Sequence, residues 1–283
     1  MNSEQMMITI WVSFLLACSA IAWLASKNVL RNKISPPSLN ISIFDYLVFL
    51  WVLLMLFVGV QTLIQFMILG GESSEEIASL SSDEWELVLG SLSLQIPFLG
   101  VMLLAYSVRK LPFFHADVNH APVSIFKEIF FGFRIFIMCL PIIWGVSSIW
   151  KVAVEAVYGL FSDDELQVQQ IVSTVSESTE LFPIITLTLL GIIMAPIAEE
   201  LFFRGSVYRF IKATLGASQG IIWSALIFAC VHWNLRALLP LFLVGVCLAW
   251  VYERRGNIWA PIAFHMAFNA QSFVLIYILR SEL

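Results

Sequence analysis

Six polar residues in three short motifs stand out from almost wholly apolar surroundings: Glu199, Glu200 and Arg204; His232, four residues after Phe228; and His265 with Asn269. A charged side chain at the centre of a membrane helix costs about 2.5–3.5 kcal/mol on insertion scales, so such residues are functional candidates wherever they occur. Glu200 and Arg204 are four apart, which stacks them on one helix face, where carboxylate and guanidinium can pair and offset each other's desolvation. Glu199 then projects about 100° away around the helix and is left free to face a cavity. A free carboxylate, two imidazoles and an amide supply a base, a second proton-handling group and hydrogen-bond donors. That set suits hydrolysis of an amide. Glu199 is expected to act as general base on a water, His232 to orient that water or relay its proton, and His265 and Asn269 to donate to the developing oxyanion. Glu200 and Arg204 are expected to hold Glu199 in place.

The elements that must position these residues are membrane helices. Of 283 residues, 60% are hydrophobic and 12% charged, against roughly 25% charged in soluble domains. Apolar runs of about 20 residues, enough to cross a hydrocarbon core of roughly 30 Å, recur along the chain. Hydropathy predicts an all-α polytopic bundle of about eight helices, near 6–25, 44–69, 87–108, 128–156, 183–208, 217–234, 238–253 and 258–279. If the fifth helix runs on to Ala213, Glu199 stands about 21 Å from the turn that follows it, and His232 about 22 Å from Ala217. His265 and Asn269 lie about 12 and 18 Å from Asn257 by the same rise. The four side chains can therefore meet within the bundle.

Charge is distributed by segment. Lys27, Arg31 and Lys33; Arg109, Lys110, Lys127 and Arg134; Arg209 and Lys212; and Arg254 and Arg255 mark four basic connections. Between them lie two acidic ones, with Glu72, Glu75, Glu76, Asp83, Glu84 and Glu86 in one and Asp163, Asp164, Glu165, Glu177 and Glu180 in the other. The positive-inside rule puts the basic connections in the cytoplasm and both termini outside. Val168, Ile171, Val172 and Val175 recur at helical spacing in the second acidic segment, as in a short helix resting on the outer surface. The first apolar run follows Glu4 and no basic residue, unlike a cleavable signal, and reads as a retained span. Cys18, Cys139, Cys230 and Cys247 fall inside apolar runs and read as small buried hydrophobes. The net charge of -5 gives no reason to expect a nucleic-acid partner. No loop is long enough for a soluble domain, so one membrane domain is the simplest organisation.

Other readings of the same residues differ in chemistry. Glu199, His232 and His265 would make a His₂Glu zinc set, but the sequence has no HExxH, so a metal-free, cofactor-free site is favoured. His115 and His120 with Asp117 between them read as loop residues and not as ligands. Phe228 and Trp233 read as packing groups, with Trp favouring the membrane interface. Buried carboxylates and histidines also line proton-coupled transporters, whose usual internal repeats are not seen here, although Pro196 and Pro261 interrupt spans that carry the cluster. A silent scaffold is the remaining alternative.

The three motifs, EExxxR as Glu199, Glu200 and Arg204, FxxxH as Phe228 and His232, and HxxxN as His265 and Asn269, resemble those of the CAAX protease and bacteriocin-processing (Abi) family of intramembrane glutamic endopeptidases. All three are complete and in that family's order, over roughly residues 183–275. The resemblance implies that Glu199 is the catalytic carboxylate, that His232 assists it and that His265 and Asn269 form the oxyanion site. It implies a peptide or lipidated-protein substrate, membrane lipids as surroundings and a bacterial-type plasma membrane. It also divides the chain into residues 183–283 as a catalytic core and 1–182 as accessory helices with acidic outer loops. Oligomeric state is left open.

Overall fold

The computed structural model describes residues 35–69, 83–109, 124–160 and 181–279, and within them every regular element is helical. Helix α1 runs over Ile43–Leu69, α2 over Asp83–Arg109 and α3 over Ile125–Tyr158. A long rod follows: α4 (Leu181–Leu189), a π-helical stretch (Leu190–Met194), α5 (Ala195–Phe202), a second π-helical stretch (Phe203–Tyr208) and α6 (Arg209–Leu215). Three helices complete the bundle: α7 (Ala217–Cys230), α8 (Leu238–Arg255) and α9 (Trp259–Leu279). The expected span near 6–25, the surface helix around Val168 to Val175, Cys18, the group His115, Asp117 and His120, and most of the loop acids lie outside the described residues.

Among the described residues, five stretches are long and apolar enough to cross a membrane: Ile43–Ile64, Leu87–Ala105, Ile125–Tyr158, Ile184–Leu215 and Trp259–Ile278. The chain is thus an all-α polytopic membrane bundle. α7 is apolar but shorter, and at 1.5 Å per residue its reach of about 21 Å falls short of a core of about 30 Å. The chain turns back beyond Cys230, where the sequence pattern had continued the helix to 234. α8 begins at Leu238 and returns to a basic last turn, where Gly256 in the left-handed conformation (φ 65°) donates its N–H to the Tyr252 carbonyl at 2.8 Å and ends the helix.

Several charges expected in loops lie on helices instead. Asp83, Glu84 and Glu86 open α2, and Lys127 lies in the first turn of α3, while Arg209 and Lys212 ride on α6 and Arg254 and Arg255 close α8. The acids that open α2 and the bases that close α8 complement the macrodipole, so those two helices extend through residues that hydropathy alone trims off. Arg255 forks onto the buried Glu128, with Nε 2.7 Å from Oε2 and Nη2 on Oε1, tying the start of α3 to the end of α8.

Small residues set the closest approaches. A Cβ on Gly132 of α3 would lie 2.1 Å from the Ala260 carbonyl oxygen, so α3 and α9 pack backbone to backbone, and Gly245 of α8 stands the same way against Ala225 of α7. Around these contacts Ile135, Phe136, Leu248, Val251 and Phe264 form one apolar core, and Phe203, Tyr208, Phe228 and Tyr252 belong to another. α1 packs against α2, and most of its apolar surface faces outward, as a lipid-facing helix does. The cysteines are less enclosed than expected: Cys230 is exposed at the C-terminal end of α7, and Cys139 and Cys247 are half-buried with their thiols hydrogen-bonded between α3 and α8.

Candidate active site

The site forms where the rod meets α7, α8 and α9. α5, eight residues between two π-helical stretches, carries both carboxylates. Single π turns inside α-helices are frequent at functional sites because each inserts a residue and changes which side chains face a neighbour. Glu200 is fully buried, and its Oε1 accepts from Arg204 Nη1 at 2.8 Å and from His265 Nδ1 at 2.8 Å. Arg204, also fully buried, donates from Nη2 to the Gly245 carbonyl at 3.2 Å, and its guanidinium lies 4.7 Å from the centroid of the Phe228 ring. The i, i+4 ion pair read from the sequence is therefore present, and through Glu200 it also fixes the His265 ring.

His232 is reached differently from the sequence expectation. It lies in the turn beyond α7 and not on the helix, yet Val231 keeps helical angles (φ −69°, ψ −12°), so the four-residue relation to Phe228 survives. His232 Nδ1 stands 2.7 Å from the Phe228 carbonyl oxygen. A carbonyl only accepts, so Nδ1 carries the proton and Nε2 is the nitrogen turned to the site. Neighbouring contacts hold the turn: Trp150 Nε1 donates to the Leu235 carbonyl at 2.8 Å, Arg236 pairs with Glu155 at 3.4 Å, and Asn234 Oδ1 accepts from the Ala237 N–H at 3.0 Å. Trp233, expected to pack, is 94% exposed with φ 47°, because the chain reverses there and throws the side chain outward. Phe228 does pack: its buried ring sits 4.7 Å from the His232 ring and 5.6 Å from the His265 ring, spacing the two imidazoles.

Glu199 lies between those imidazoles. Its Oε2 is 3.8 Å from His232 Nε2 and 3.8 Å from His265 Nε2. Exposure of these side chains falls from 26% for His232 through 17% for Glu199 to 3% for His265, so the cluster is open on the His232 side. Glu199 Oε2, Glu200 Oε2 and Arg204 Nε are buried without hydrogen-bond partners. Asn269, one turn beyond His265 on α9, donates from Nδ2 to the Gly191 carbonyl at 2.7 Å. Five of the six sequence-selected residues thus meet in one cluster, while Asn269 turns to the first π-helical stretch.

A second polar cluster, which sequence reasoning missed, clamps the basic end of the rod. Glu253 accepts from Ser35 Oγ at 2.6 Å, Tyr208 Oη at 2.5 Å and Lys212 Nζ at 2.7 Å. Lys212 also reaches Ser35 Oγ and the Pro36 carbonyl, while Arg209 Nε donates to the Pro37 carbonyl at 2.7 Å. The Leu39 N–H donates to the Arg209 carbonyl at 3.1 Å. Its available signal was the pair of prolines at 36 and 37, which fixes an extended segment with free carbonyls beside a basic helix end.

Fold and site together define a membrane protein with a carboxylate and imidazole cluster inside its bundle. Residues 181–271, which contain every one of the six, match the family model described as type II CAAX prenyl endopeptidase Rce1-like. Over 84 residues it is 33% identical to the Bacillus subtilis (strain 168) protein named "Putative membrane peptidase YdiL". That similarity covers 30% of this chain and 34% of the relative, so the chain spans about a third of the length of the curated relative it matches. No solved structure matches.

Proposed function

We propose that the protein is an intramembrane endopeptidase that hydrolyses a peptide bond of a membrane-associated or lipidated substrate, using water activated by Glu199. The observation that carries this is the placement of Glu199 Oε2 at 3.8 Å from both His232 Nε2 and His265 Nε2. That separation exceeds a direct hydrogen bond and fits one water, about 2.8 Å from the carboxylate and from an imidazole nitrogen.

In this mechanism Glu199 removes a proton from the water as its oxygen attacks the scissile carbonyl. His232, held by Phe228 with Nε2 toward the site, orients the water and passes the proton on to the leaving amine. His265, its Nδ1–H spent on Glu200, stabilises the oxyanion through Nε2–H in its doubly protonated form, together with Asn269. The residues from 183 onward act as the catalytic core, and the helices before them control access from a bacterial-type plasma membrane. The match to type II CAAX prenyl endopeptidases and the relative's peptidase name support the same chemistry.

The test is cleavage of a fluorogenic peptide panel, lipidated and plain, by purified protein, with and without chelator. Wild type cleaves, Glu199→Gln does not, and chelator leaves the rate unchanged. Equal cleavage by Glu199→Gln would remove Glu199 from the mechanism, and loss of activity in chelator would replace the metal-free reading with a zinc one.

A further inference from the structure

The rod's internal hydrogen bonding breaks at the Gly191 carbonyl. The Ala195 N–H, which an α-helix would direct to Gly191, reaches back five residues to the Leu190 carbonyl. The next amide along belongs to Pro196, which has no N–H. The Gly191 carbonyl therefore has neither an α-helical nor a π-helical donor in its own rod. Backbone carbonyls away from water are paired almost without exception, and this part-buried one is paired from outside, by Asn269 Nδ2 at 2.7 Å. Because a carbonyl only accepts, that bond decides which end of the Asn269 amide faces the rod. One N–H is consumed, and the second N–H on the same nitrogen keeps a fixed direction.

Gly191 is also the place where α9 closes on the rod. A Cβ there would lie 2.6 Å from Phe273 Cε2 and 2.8 Å from its Cζ, and Phe273 is buried. His265, Asn269 and Phe273 are four residues apart in succession, so a single stripe of α9 touches Glu200, the Gly191 carbonyl and the Gly191 backbone in turn.

We infer that Gly191 is a positioning residue: its carbonyl, freed by the π turn and Pro196, aims the remaining N–H of Asn269, and its missing side chain lets Phe273 hold α9 at that distance. The inference rests on the peptidase reading above, and it adds the first π-helical stretch to the parts on which turnover depends.

The experiment measures kcat and KM for wild type, Gly191→Ala, Phe273→Leu and the double variant on a peptide that wild type cleaves. Misaiming one oxyanion donor is expected to lower kcat of Gly191→Ala about 10- to 100-fold with KM within about twofold. The double variant, relieved of the ring edge that a new methyl would strike, recovers at least about tenfold of that loss relative to Phe273→Leu alone. Wild-type kcat in Gly191→Ala, or a loss that the double variant does not relieve, overturns the inference while leaving the peptidase reading intact. A separate arm needs no cleavage. Asn269→Asp, which sets an acceptor against the Gly191 carbonyl, is expected to melt about 3 °C or more below wild type, and unchanged melting contradicts the bond. If wild type cleaves no peptide, the peptidase reading fails and takes the positioning role with it, and melting still decides the bond.

Discussion

Two polar clusters are built on the same rod, and they differ in how completely they are satisfied. At the basic end, Glu253 accepts from Ser35, Tyr208 and Lys212, and Lys212 spends its three donors on Ser35, Pro36 and Glu253. Near mid-rod, Glu199 Oε2, Glu200 Oε2 and Arg204 Nε are buried with no partner. Buried polar groups that serve only stability are normally bonded in full, since each one left open costs about 1–3 kcal/mol. The clamp follows that rule. The mid-rod cluster departs from it both at Glu199, beside the more exposed His232, and at the fully buried Glu200 and Arg204.

The contrast can be broken most severely at Glu200. Glu200→Ala leaves Arg204 charged and buried beside an unbraced His265, and should cost about 3–5 kcal/mol, read as a lower thermal midpoint in detergent together with loss of cleavage. Glu199→Gln comes next, because it removes the proposed base and keeps the shape. Turnover should fall by at least about 10²- to 10³-fold while the melting temperature stays within about 2 °C. Glu253→Gln should separate the two clusters, costing about 1–3 kcal/mol through the clamp with kcat per folded molecule unchanged. A parallel fall in kcat would mean that the clamp takes part in the reaction. The smallest effect belongs to the half-exposed pair Arg236–Glu155. Arg236→Ala should cost no more than about 1 kcal/mol, since solvent and headgroups screen such pairs.

The mid-rod residues were legible in the sequence and the clamp was not, and the reasons differ by residue. The Glu200–Arg204 pair could be read because an i, i+4 spacing fixes a shared face wherever the helix is regular enough. The convergence of Glu199 with His232 could be read from rise per residue, because both counts start from the same turn between α6 and α7. Neither π-helical stretch was foreseen, because a π turn is decided by one amide choosing a carbonyl five residues back, a choice that apolar periodicity does not record. Pro196 was the clue to the freed Gly191 carbonyl, but its meaning depends on Asn269 arriving from α9. His232 was placed on a helix that in fact ends at Cys230, because hydropathy continues through Val231 and Trp233 while the backbone turns. The clamp was missed because Ser35, Tyr208 and Glu253 are far apart in sequence and none is unusual in its own segment.

The central claim, that Glu199 activates water and does not itself attack the substrate, is tested most directly by single-turnover hydrolysis in ¹⁸O-water with excess enzyme, followed by mass analysis of both product and enzyme. The account predicts one ¹⁸O in the new product carboxyl and none in the Glu199 side chain. Label in Glu199 with an unlabelled product carboxyl would mean an acyl-enzyme formed on that carboxylate, and would contradict the general-base role.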